Sequence, residues 1–157
     1  MVMLVRGFFP INALLLLAMQ LILASEGSAD PTSVTRDQDL NFGMVVGGSG
    51  YAGTITISAS GVRSFSGSIV PLGSAFSPAR FTITGNVGKT YTVTLPASFT
   101  INSGEDQMAV SAITSSIPLT GAIPAGGGLP FSVGGTLSIN STQKNSLYSG
   151  SLSVTVK

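Results

Sequence analysis

Tyr148-Ser149-Gly150-Ser151-Leu152-Ser153-Val154-Thr155-Val156-Lys157 closes the chain, and apolar and polar side chains alternate through it to the last residue. Successive side chains of a β-strand point to opposite sides, so Leu152, Val154 and Val156 share one face while the serines and Thr155 share the other. This is the signature of a half-buried strand running over Leu147 to Val156. A strand at the end of a chain leaves one row of amides and carbonyls without a neighbour, and such an edge takes up another strand readily. Leu147, Tyr148, Leu152, Val154 and Val156 are therefore the candidate residues of an assembly edge.

The same two-residue period recurs upstream. Ile55 and Ile57 alternate with Thr54 and Thr56, Phe81 and Ile83 with Thr82 and Thr84, and Tyr91, Val93 and Leu95 with Thr92 and Thr94. Strands are expected over residues 40–46, 53–58, 62–70, 80–85, 90–95, 107–113, 131–139 and 147–156. Gly47-Gly48-Ser49-Gly50, Asn86-Val87-Gly88-Lys89 and Asn102-Ser103-Gly104 supply residues that tolerate positive φ, and they mark turns. Residues 115–130 contain Pro118, Pro124, Pro130 and three consecutive glycines, Gly126 to Gly128, and read as a surface loop joining two sheets. An apolar face opposite a hydroxylated one is the pattern of antiparallel sheets with one side on a core and one in water. The expected fold is all-β: an immunoglobulin-like antiparallel β-sandwich of about seven to nine short strands.

Before these strands stands an apolar run from Ile11 to Ala24, with Arg6 ahead of it and Gly27-Ser28-Ala29 after it. A positive start, a short apolar core and a small-x-small site define a secretory signal peptide over residues 1–29, with a cut after Ala24 as the alternative. The core is shorter than the roughly 20 apolar residues of a bilayer span, so no stable membrane insertion is expected after cleavage. Residues 30–157 then form a single domain, which the signal places in the periplasm, at the cell surface or in an extracellular appendage.

The chain has no cysteine, so export brings it no disulfides, and burial with backbone hydrogen bonding must hold it together. Its formal net charge is +1 from seven basic and six acidic residues, which provides no electrostatic footprint for nucleic acid. Charged residues are 8% of the chain, about a third of the usual level. A surface this poor in charge resists association weakly, a property that suits a subunit better than a free monomer.

Catalytic chemistry finds few footholds. Histidine and cysteine are both absent, which removes the commonest general base, the thiolate nucleophile and the usual zinc ligands. The many serines lack a partner base. Glu105 and Asp106 beside a turn offer oxygens of the type calcium takes, but without the six or more ligands that it needs. Asn140-Ser141-Thr142 fits the acceptor pattern for N-glycosylation, a three-residue match that arises by chance. Tyr51, Tyr91 and Tyr148 would stack a sugar if exposed, although alternating strand positions place tyrosines in a core. An outer-membrane barrel would show interfacial aromatic girdles, and this chain has no Trp and three Tyr. No enzyme activity, cofactor or metal is expected.

Six segments taken in order resemble the bacterial domain-of-unknown-function 4402 family of exported, pilin-like domains. They are Asp39 to Val46, Gly53 to Ser58, Pro78 to Gly85, Thr90 to Pro96, Gly134 to Ile139 and Tyr148 to Val156. The resemblance implies a sandwich related to fimbrial subunits, in which a missing strand is supplied by a periplasmic chaperone and then by the next subunit. It implies no catalytic residues. Expected partners are copies of the chain or related subunits, with or without a chaperone. In residues 30–39 only Val34 is apolar, which makes this segment at most a weak donor strand. Either the chain accepts a strand without donating a strong one, or the domain is complete and folds alone. The leading expectation is a non-enzymatic structural subunit of a surface appendage or adhesion assembly. The alternative is a self-contained immunoglobulin-like surface module that binds a ligand, such as a glycan, through its loops.

Overall fold

The computed structural model describes residues 32–46 and 50–157. The expected signal peptide, both expected cleavage positions and the turn residues Gly47 to Ser49 lie outside the described residues. Twelve strands follow one another: β1 (Ser33–Gln38), β2 (Met44–Val46), β3 (Gly53–Ile57), β4 (Arg63–Gly67), β5 (Val70–Leu72), β6 (Ala79–Thr84), β7 (Thr90–Thr94), β8 (Ser98–Ser103), β9 (Asp106–Ser115), β10 (Thr120–Ala122), β11 (Gly128–Ile139) and β12 (Thr155–Val156). There is no helix among the described residues, and all the pairings are antiparallel.

β11 organises the large sheet. Its first half pairs with β6, its second half with β3, and β9 lies along it from Val133 to Leu137. β1 extends the sheet beyond β6, β4 beyond β3, and β8 beyond β9. β7 lies between β10 and β12 in a second sheet, and β2 with β5 makes a two-stranded ribbon. Apolar side chains of the large sheet and of β7 meet in between, in a sandwich-like arrangement.

The core has two adjoining clusters. Ile55, Ile57, Met108, Val110, Leu137 and Ile139 from the large sheet bury with Phe42 and Ile69. Phe81, Ile83, Phe131 and Val133 bury against Tyr91, Val93 and Ile123, with the Phe81 and Phe131 rings stacked at 5.4 Å. Each alternating segment read from the sequence sends its apolar members inward: Ile55 and Ile57, Phe81 and Ile83, Tyr91 and Val93 are all buried.

The structure departs from the sequence reading in five places. Residues 115–130 are not one loop, because β9 runs to Ser115, β10 pairs with β7, and β11 starts at Gly128. Pro130 sits inside β11 without harm. The Gly85 amide donates to the Gly127 carbonyl, which sets an alternation that leaves residue 130 at a non-bonded pair with Thr82. Its ring nitrogen faces the side where β9 has not yet begun, so no ladder bond is lost. The stretch 62–70 divides into β4 and the start of β5, because Gly67 turns the chain at φ 87°.

β1 and β8 were absent from the expected strands. β1 has one apolar side chain to signal it, and β8 follows Pro96 so closely that it reads as the tail of β7. Residues 40–46 form a regular strand only at β2, with Asn41 bridging to Ser77. The closing run is the fifth departure: it pairs regularly only at β12, and Ser149 bridges to Asn102.

Pro96 explains that last correction. Thr155 pairs with Thr94, and Lys157 exchanges two backbone bonds with Thr92, at 2.8 and 3.0 Å. The next bonded position would set Ser153 opposite Pro96, which has no N–H to give. At the same point the chain crosses from β7 to β8, so residues 95–101 span what residues 150–154 span on the facing side. The register shifts by two and the ladder breaks.

Candidate edge and groove

The closing run keeps its alternation despite the broken ladder. Leu152, Val154 and Val156 are half-buried and pack on the second core cluster, whereas Ser151, Ser153 and Thr155 are exposed. Tyr148 turns inward onto the first cluster, and its hydroxyl receives a bond from Gln143 Nε2 at 2.8 Å and donates one to the Lys144 carbonyl at 2.9 Å. Leu147 points out, 88% exposed. Four of the five proposed edge residues thus share the interior and the fifth faces solvent. Val34, the candidate donor residue, lies in β1 opposite Ile83 and packs against the second cluster of its own domain.

One side of the closing run is anchored. Ser149 and Asn102 exchange backbone bonds of 2.7 and 3.0 Å, and Gly150 lies so close to β8 that a Cβ there would strike the Thr100 carbonyl oxygen and come within 3.0 Å of Ile101 Cα. The other side is open. Among the described residues no backbone hydrogen bond holds Gly150 to Val154.

Beside this open edge runs a groove of about 830 Å³. One wall is residues 36–45 and the other is residues 146–152, running in opposite directions. Its floor is apolar, with Phe81, Phe99, Ile101, Met108, Leu137 and Ile139 contributing. The groove narrows at one end, where β1 comes alongside β12. At the other end it meets a second cavity of about 360 Å³ under the ribbon, and Met44, Val45, Met108, Ile139 and Tyr148 line both.

The far wall is held by contacts on its outer side. Asn41 and Ser77 exchange backbone bonds at 2.8 and 2.9 Å. Arg63 on β4 donates from Nη2 to the Gly73 carbonyl at 2.8 Å, its guanidinium lying 5.0 Å from the Phe65 ring centroid and 4.3 Å from that of Phe76. Gly43, at φ 82°, packs against that guanidinium: a Cβ would come within 2.6 Å of Arg63 Nη1 and 2.9 Å of the Ala75 carbonyl. A β-carbon there would push the wall away from its support.

Electrostatically the groove is quiet. Arg36 and Asp39 at its narrow end pair with each other at 3.1 Å. Lys144, beside the second cavity, pairs with Asp106 at 3.0 Å, and the hydrogen bond and charge of Asp106 raise the Lys144 ammonium above its ordinary pKa. Asp106 is thus engaged by a lysine, and no group of three or more His, Cys, Asp or Glu able to hold a metal ion exists among the described residues. Tyr91 is buried and Tyr148 half-buried, so of the three tyrosines only Tyr51 is left largely exposed.

Sequence reasoning expected a strand over the closing run and gave no sign of the groove. Its walls come from opposite ends of the domain, and no local pattern announces that residues 36–45 stop short of pairing with residues 146–152.

Fold and site together define an antiparallel β-domain of the sandwich type whose last strand leaves an open edge over an apolar groove. A family model described as a domain of unknown function, DUF4402, matches residues 32–157, and the chain belongs to that family. No curated protein and no solved structure matches it.

Proposed function

We propose that the protein is an exported, non-enzymatic structural subunit that assembles on a cell surface by taking an extended strand from another molecule into the groove beside Gly150–Val154. The observation that carries this reading is the coincidence of unpaired backbone with apolar floor: among the described residues Gly150 to Val154 make no backbone bonds, and Gly150, Ser151 and Leu152 of that stretch border a cleft lined by core side chains. Strand addition uses both, with main-chain bonds for affinity and alternate side-chain pockets for specificity.

Edge protection elsewhere supports the choice of this edge. β1 carries Arg36 and Asp37 with a break in register between Arg36 and Gln38, β5 carries Pro71, and β10 is three residues long between Pro118 and Pro124. These are the devices by which edges are kept from pairing. From Asn145 to Val156 there is neither charge nor proline. Burying about four apolar side chains of an incoming strand would contribute on the order of 6 to 12 kcal/mol. That rivals the net stability of a whole domain, about 5 to 15 kcal/mol, so the filled subunit is much the firmer state.

The test is amide hydrogen exchange on the exported protein, with monomer and oligomer separated and run on a denaturing gel without boiling. The expected result is a ladder of oligomers in which Gly150–Val154 exchange slowly, against fast exchange at the same amides in the monomer. A single monomer band, or slow exchange of these amides in the free monomer, overturns the reading.

A further inference from the structure

The second cavity gives the incoming segment a feature that strand pairing alone does not require. We infer that the partner is an uncharged extended segment of about seven residues that carries a bulky apolar residue at one end, and that this residue seats in the 360 Å³ cavity beneath Met44 and Leu72. The inference rests on the strand-addition reading above and specifies the partner of that same site.

Three observations lead to it. First, the length: the edge wall from Ser146 to Leu152, at about 3.3 Å per residue, accommodates a strand of roughly seven residues. The closed end, where β1 meets β12, stops it from running further that way. Second, the charge: the ionic groups bordering the two cavities are already paired, Arg36 with Asp39 and Lys144 with Asp106. A charged side chain directed at this floor would lose its water and find no counter-ion, so the segment must be neutral where it faces inward.

Third, the far end of the groove is not a plain exit. It opens into a cavity bounded by Met44, Val46, Leu72 and Ile139, with the ammonium stem of Lys144 on the rim. The ribbon side chains there form one apolar set: Met44 lies opposite Leu72 and Val46 opposite Val70, and all four are partly exposed. A large apolar side chain set among these residues gains a desolvated pocket, the usual setting of an interface anchor. Methionine, flexible and polarizable, suits the wall of a pocket that must accept more than one shape.

The experiment uses purified residues 30–157 and fluorescein-labelled synthetic nonapeptides, read by fluorescence anisotropy. One peptide alternates Thr and Val throughout; two others replace the first or the last residue by Trp; a fourth has Asp in place of each Val. The alternating peptide is expected to bind, one of the Trp peptides to bind at least tenfold tighter, and the Asp peptide not to bind. Leu72→Asp, with Val46→Asp as a second variant, is expected to remove the tenfold gain while leaving the plain peptide's affinity unchanged; both residues line the second cavity and not the groove, both side chains are exposed, and circular dichroism confirms the fold. If no peptide binds, the strand-addition reading itself fails. If the plain peptide binds but neither Trp end adds affinity, or the gain survives both substitutions, the anchor cavity alone is overturned. Binding of the Asp peptide as tightly as the plain one overturns the neutral segment.

Discussion

Gly150→Ala probes the hinge on which the closing run turns. Gly150 is not in the left-handed region, so alanine costs nothing in backbone strain. The damage comes from contact: the new methyl group would fall on the Thr100 carbonyl oxygen and 3.0 Å from Ile101 Cα. Both are backbone atoms of β8, which is paired to β9 over six residue pairs and does not yield easily. The closing run must move instead. Moving it breaks the two Ser149–Asn102 backbone bonds, together about 2 kcal/mol net, and lifts part of Tyr148 off the first cluster, about another 1 kcal/mol. The expected loss is therefore about 3 kcal/mol, or roughly 10 °C in melting temperature for a domain of this size. Differential scanning calorimetry reads the shift, and amide exchange reads its location: Asn102 and Ser149 should lose protection while Thr92 and Lys157 keep theirs. A melting temperature within about 2 °C of wild type, with Asn102 still protected, refutes the packing of this run on β8.

Three more substitutions test separate parts of the structure. Val34→Asp places a carboxylate where β1 packs on the second cluster, and losing that burial while desolvating a charge should cost about 2 kcal/mol; a monomer of unchanged stability in urea would show that β1 is not part of the domain. Ala112→Gly should stabilise by up to about 1 kcal/mol, because Ala112 sits at φ 49° in a bulge opposite Gly135, where a β-carbon is strained; a lower melting temperature would contradict that geometry. Asp106→Asn removes the partner of a fully exposed lysine and should leave stability near neutral pH within error. The pH dependence has a definite sign, since the folded Lys144 pKa is raised: whatever the pair contributes is present below the ordinary lysine pKa and fades as pH climbs through the raised value. Wild type and variant should therefore converge in strongly alkaline solution, and divergence there would place the effect elsewhere.

Much of the sheet was legible because β3, β6 and β7 each alternate Thr with a large apolar residue, and the pleat converts that directly into faces. β8 alternates equally well, with Phe99 and Ile101 between Ser98, Thr100 and Asn102, but Pro96 hid where one strand ended and the next began. β1 was illegible for a different reason. It is held by its ladder to β6 and by one half-buried side chain, and a ladder bond leaves no trace in side-chain chemistry. The hairpin between β8 and β9 shows the opposite case. Gly104, at φ 61° in the first place of a two-residue turn, is the residue that such a turn requires, and it was readable from composition alone. The groove could not be read at all, since it exists only because two distant segments fail to meet.

The failure to meet has a local cause. β1 stays on β6 as far as Gln38, and Asn41 takes up the same register again against Ser77, so this wall remains on the β6 side. The stacked Arg63 and the bare Gly43 then hold residues 41–45 away from the closing run. On the opposite wall, Gly150 pins the run to β8 and Pro96 strips its middle of bonds. Each wall is therefore fixed by contacts on its outer side, away from the cleft between them. A gap left by poor packing would be expected to close under its own apolar floor, because collapse removes that surface from water. This one is braced open from both sides, and relief of either brace should close it. Gly43→Ala pushes one wall inward off its Arg63 support, so it should lower peptide affinity while leaving the Asn102 and Ser149 amides protected; unchanged affinity would mean that the wall is not what keeps the cleft open.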